Sequence, residues 1–69
     1  MPSARELEYR AWHLPTKKLS ERLKDGRILT VAVSEISNPG IKTHRRSFWY
    51  IDGKRITRVT AALILRGHI

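Results

Sequence analysis

The sequence predicts an α+β fold: two short N-terminal helices, a three-stranded antiparallel sheet and a C-terminal helix packed on the sheet. Three observations point there. The first stretch spaces its leucines and alanines at helical intervals. The middle is β-branched and alternating. The last stretch returns to Ala and Leu between a threonine and a glycine. Helices segregated from an antiparallel sheet pack across one of its faces and share one core with it. At 69 residues the chain makes a single small domain, 1–69, whose core is small and which gains only marginal stability from it.

Ser3-Ala4-Arg5-Glu6 has the form of a capping box, and Leu7, Ala11 and Leu14 follow at i, i+4, i+7. That spacing makes a helical stripe, and Pro15 ends it, because the residue before a proline avoids the α region. Thr16 can cap a second helix with Leu19 and Leu23 one turn apart inside. Lys17, Lys18, Arg22 and Lys24 then cover its outer face, and Asp25-Gly26 stops it.

Arg27 to Ile36 alternates, with Leu29, Val31 and Val33 on one face and Thr30, Ala32 and Ser34 on the other, which is a strand. Ser37-Asn38-Pro39-Gly40 is the strongest loop signal. Thr43 to Ile51 is a second strand and Lys54 to Arg58 a third. The Asp52-Gly53 pair between them favours a two-residue type I′ turn. That turn pairs Ile51 with Lys54, Tyr50 with Arg55, Trp49 with Ile56 and Phe48 with Thr57. Alternation then puts Trp49, Ile51 and Ile56 on one face, read as core. Phe48 and Tyr50 share the other with Arg46, Arg55 and Thr57. Thr57 or Thr60 caps a last helix, Val59 to Arg66, which Gly67 ends.

The formal charge of +8 is uneven. Residues 1–41 hold seven basic and five acidic side chains, a net of +2, and residues 42–69 hold seven and one, a net of +6. Such an excess implies an acidic partner, nucleic acid before an acidic protein or an anionic membrane surface. No apolar run approaches the ~20 residues that span a bilayer. The N-terminus has no apolar core of a secretory signal, so the expected location is cytoplasmic and no membrane partner is expected. There is no cysteine, hence no disulfide, and a homodimer is one route to extra stability.

The parts of an enzyme are scarce. His13, His44 and His68 stand far apart in no metal-binding spacing, and the six carboxylates fall on helix surfaces, at a strand edge or in turns. There is no Gly-rich phosphate loop. The expectation is a non-enzyme with no metal and no cofactor.

The functional signal is concentrated in Lys42 to Arg58, seventeen residues with six Lys/Arg, one acid and three consecutive aromatics. Lys and Arg neutralise phosphates and release counterions, and ring faces stack on bases. The candidate nucleic-acid-binding residues are Lys42, Arg45, Arg46, Phe48, Tyr50, Lys54, Arg55 and Arg58. The Lys17, Lys18, Arg22, Lys24 face is a second candidate, to be weighed against a merely solvated helix face.

The order of strand, Asp-Gly turn, strand and helix resembles the βββα module of AP2-type and integrase arm-type DNA-binding domains. Tyr50-Ile51-Asp52-Gly53-Lys54-Arg55-Ile56 is also similar to the segment that precedes the catalytic motif in many phage HNH endonucleases. Both resemblances cover about the last third of the chain. They imply a DNA-facing role for Arg46, Lys54, Arg55 and Arg58. The HNH histidines come after the matching segment, so nuclease activity is not implied. A helix, three strands and a helix also resemble double-stranded-RNA-binding domains, but their Lys-rich closing helix is replaced here by Val59-Thr60-Ala61.

Two functions follow as expectations. One is a small basic nucleic-acid-binding accessory or regulatory protein of phage or mobile-element type, with duplex DNA favoured and a recombinase as a partner to consider. A winged-helix variant, with Asp52-Gly53 as the wing, ranks behind it because Leu29 to Ile36 reads as strand. The other is a phage-encoded interaction protein that binds and inhibits a host protein or complex, since Arg and aromatics also concentrate at protein hot spots.

Overall fold

The computed structural model describes residues 2–36, 40 and 44–69. It is α+β, with helix α1 (Ala4–Trp12), strands β1 (Lys18–Arg22), β2 (Ile28–Ile36), β3 (His44–Ile51) and β4 (Lys54–Ile56), and helix α2 (Arg58–Leu65). The strands form one antiparallel meander in the order β1-β2-β3-β4. Lys42, Thr43 and the Ser37-Asn38-Pro39 part of the expected loop lie outside the described residues.

The expected capping box forms in part: the Ser3 hydroxyl accepts the Glu6 backbone N–H at 3.2 Å, and α1 starts there. Leu7 and Ala11 are buried as the stripe requires. The helix closes at Trp12, and the turn through Pro15 carries Lys17 into the left-handed region at φ +56°. The Lys17 carbonyl then accepts the Val33 N–H at 2.8 Å and starts the pairing of β1 with β2.

The second N-terminal helix is replaced by β1, so the sheet has four strands and not three. Leu19 and Leu23 stand four residues apart, which places them on one side of a strand as well as of a helix. Tertiary pairing decides between the two: Leu19 lies opposite Val31, and Glu21 opposite Leu29. Asp25-Gly26 is therefore a hairpin turn, not a helix stop. Leu23 N–H donates to the Arg27 carbonyl at 2.8 Å and Gly26, at φ +94°, donates to the Leu23 carbonyl at 3.0 Å. A three-residue hairpin loop with glycine in the left-handed position has this geometry.

The Asp52-Gly53 hairpin has both residues at positive φ, +48° and +83°, as a type I′ turn demands. It pairs Ile51 with Lys54, Tyr50 with Arg55 and Trp49 with Ile56 in the expected register. Asp52 also reaches the neighbouring strand: its carboxylate accepts the Ile28 N–H at 2.9 Å. The expected Phe48–Thr57 pair is absent from this ladder because β4 stops at Ile56. Thr57 instead caps α2, its hydroxyl accepting the Thr60 N–H at 3.1 Å.

Both helices pack on one sheet face. Leu7, Ala11, Leu29, Val31, Val33, Trp49, Ala61, Ile64 and Leu65 form one buried cluster. Trp49, with 1% of its surface exposed, is the largest fully buried side chain. A polar chain ties the layers together. Trp49 Nε1 donates to Ser47 Oγ at 3.1 Å, Ser47 donates to the Glu8 carboxylate, and Arg58 grips the same carboxylate through Nε and Nη2 at 3.0–3.2 Å.

Candidate nucleic-acid interface

Alternation along the four strands sorts their side chains into two sets. The set beneath the helices holds Leu19, Leu29, Val31, Val33, Trp49 and Ile56. The opposite set is covered by neither helix, and its described members are all half-buried or exposed. On β3 it presents His44, Arg46, Phe48 and Tyr50, on β4 Arg55, on β1 Lys18, Ser20 and Arg22, and on β2 Ile28, Thr30, Ala32 and Ser34. Two cross-strand rows organise it. One runs Lys18, Ala32, Phe48, and the other Ser20, Thr30, Tyr50, Arg55. The Ser20 and Thr30 hydroxyls hydrogen-bond at 2.9 Å within the second row.

Charge is divided between the faces. Lys18, Arg22, Arg46 and Arg55 stand on the open face, and none of them forms an ion pair among the described residues. Five of the six carboxylates lie elsewhere, and Asp52 closes the row of Arg22 and Ile28 with its carboxylate engaged by the Ile28 N–H. Glu6 and Glu8 are on α1 and Asp25 in a turn. Glu21 faces α1, where it meets Arg10 at 3.9 Å. Glu35 has the parity of Val33 and sits opposite Arg45. The open face is therefore a net positive surface around two aromatic rings. The Arg55 guanidinium lies over Phe48, 5.1 Å from the ring centroid.

The eight candidate residues separate accordingly. Arg46, Phe48, Tyr50 and Arg55 come together on the open face. Arg45 and Lys54 point to the helix side, as their odd–even relation to Trp49 dictates. Arg45 stacks on the Trp12 ring, 4.0 Å from its centroid, with Lys17 Nζ 4.5 Å away. Arg58 opens α2 and is taken up by Glu8, whose hydrogen bonds hold its guanidinium more firmly protonated than an ordinary arginine. Lys42 lies outside the described residues.

The second candidate set also divides. Lys18 and Arg22 join the open face because β1 is a strand. Lys17 Nζ instead donates to the Trp12 carbonyl at 2.5 Å, and Lys24 sits exposed in the β1–β2 turn. The signal for Lys18 and Arg22 was the polar alternation of Lys18, Ser20 and Arg22, which is an outward-facing strand pattern.

His13 packs edge-on against the Tyr9 ring at 4.4 Å, on the opposite side of the sheet from His44. Among the described residues no three His, Cys, Asp or Glu side chains are grouped to hold a metal ion, and no helix is long and apolar enough to cross a membrane.

No protein-family model, no curated protein and no solved structure matches this chain.

Proposed function

We propose that this protein binds nucleic acid through the open face of its sheet and serves as an accessory or regulatory factor without chemistry of its own. The observation that carries this reading is the segregation of charge. Four of the cations stand on one face with two half-buried rings, and five of the six carboxylates are placed off it, the sixth, Asp52, sitting at its rim with its carboxylate engaged by the Ile28 N–H. Phosphates supply the counter-charge, and bases supply the flat surface that the rings match.

The test is an equilibrium titration against duplex DNA, single-stranded DNA and RNA over a series of salt concentrations. Micromolar or tighter binding at low salt is expected. If the four open-face cations each neutralise a phosphate, the slope of log K against log salt is about −3.6 for a duplex and about −2.8 for a single strand. Arg46→Ala with Arg55→Ala, and separately Lys18→Ala with Arg22→Ala, each take away about half of that slope and leave the fold intact. Absence of binding to all three at low salt sinks the proposal. A protein partner kept in a pull-down after nuclease treatment favours the interaction-protein reading instead.

A further inference from the structure

Building on that nucleic-acid reading, we infer that the open face takes unpaired strands, with two consecutive bases stacked on Phe48 and Tyr50. Width favours a single strand. Neighbouring strands lie ~4.8 Å apart. A three-stranded reader spans two such gaps, ~10 Å, which suits a major groove ~12 Å wide. The four-stranded sheet β1-β2-β3-β4 spans three gaps, ~14 Å before any side chain is added. With its outermost cations on β1 and β4, the whole face can lie across a duplex but cannot enter its groove. In that position the cations reach phosphates, while the rings meet no base face, because paired bases cover one another.

The spacing of the rings points the same way. Phe48 and Tyr50 are two residues apart on β3 and face the same way. That separation is ~6.8 Å, twice the ~3.4 Å rise of stacked nucleotides along one strand. Two successive bases can each cover a ring only if they part from one another. An unpaired strand does this readily and a duplex does not. Sheet-borne aromatics that seat splayed bases are a recurring solution for single strands.

Cations frame the rings. Arg46 precedes Phe48 on the same strand, Lys18 ends the Phe48 row and Arg55 ends the Tyr50 row. These cations border the rings on three sides, where the backbone of a seated dinucleotide would run. Arg55 has no carboxylate partner among the described residues. It exchanges its contact with Phe48 for the phosphate of the base that replaces it on the ring.

Fluorescence anisotropy with labelled eight-nucleotide strands tests this. The probes are oligo-dT, oligo-U, an abasic strand of equal length and a matched duplex. They are titrated with the wild type and with Phe48→Leu and Tyr50→Leu, which keep apolar bulk at each site. Thermal melts establish that the variants fold. The expected result is single-strand affinity at least roughly tenfold above duplex at equal salt, and a loss of roughly 5- to 100-fold per ring removed. Abasic binding and the salt slope stay unchanged. The ratio of oligo-dT to oligo-U affinity distinguishes DNA from RNA as the source of the strand. Duplex binding as tight as single-strand binding, or leucine variants of undiminished affinity, overturns the stacking inference while leaving the nucleic-acid reading in place. No binding to any probe overturns both.

Discussion

Replacing Glu8 by alanine should destabilise this domain more than removal of any other carboxylate, and the structure sets the size of the effect. Glu8 is the junction of the polar chain that joins α1, β3 and α2. Its side chain is 22% exposed, against 54% for Arg58. The Ser47 hydroxyl donates to a charged, mostly buried acceptor, an interaction of about 1.5–3 kcal/mol. The Arg58 pair is largely solvated and adds only ~0.2–1 kcal/mol. The better helix propensity of alanine returns a few tenths, so the net loss is about 2–3 kcal/mol. For a domain of this length each kcal/mol lowers Tm by about 4–8 °C. The expected fall is therefore roughly 10–20 °C, read by circular dichroism.

A double-mutant cycle isolates the contact. Ser47→Ala leaves the buried Trp49 Nε1 without its acceptor and costs about 1–3 kcal/mol. Combined with Glu8→Ala it should show a coupling of about 0.5–3 kcal/mol. Arg58→Ala alone should cost no more than ~1 kcal/mol. It should also leave the salt slope of nucleic-acid binding as it was, because Arg58 lies among the helices. Strictly additive Glu8 and Ser47 variants would refute the network. A salt slope reduced by Arg58→Ala would add that residue to the proposed binding surface.

Two further outcomes are expected. Trp49→Ala removes the largest fully buried side chain and should cost about 3–5 kcal/mol, a large part of the ~3–10 kcal/mol typical of a domain this size. A melting transition at its wild-type temperature would contradict the placement of that ring. Asp25 is held below its ordinary pKa of 3.8 by the Arg27 backbone N–H first, and then by the Arg27 side chain. Its folded pKa is the lower one, so its contribution is present above about pH 4 and disappears as pH falls through the folded value. The Tm difference between wild type and Asp25→Asn should therefore shrink between pH 7 and pH 3. A difference undiminished between pH 7 and pH 3 would show that the charge is not its source.

Where local chemistry determined structure, it was legible in the sequence. The Ser3 cap, the Asp52-Gly53 turn and the burial of Trp49 each follow from residues within a few positions of one another. The turn type then set the hairpin register without reference to the rest of the fold. The same rule separates Arg46 from Arg45 and Arg55 from Lys54. The four cannot share one site, and the strand assignment already contains the parity that parts them. The bond between Arg58 and Glu8 was not legible, because fifty residues separate them. Nothing local to either end announces the partner.

In Lys17 to Lys24 a leucine pair four apart satisfies the helical period and the strand period together, so apolar spacing cannot choose. What chooses is the row of β2 residues waiting to be paired, and Asp25-Gly26 supplies a loop short enough to pair them. Lys18, Ser20 and Arg22 then face away from the helices, which is how an edge strand with one solvated face is built. The added strand changes more than the strand count. It brings two cations into line with Phe48 and Tyr50, and it widens the face beyond what a DNA groove admits. A three-stranded sheet with the same hairpin would have argued for duplex DNA. The fourth strand, formed by residues whose spacing also fits the outside of a helix, favours the proposed single strand, whose bases are free.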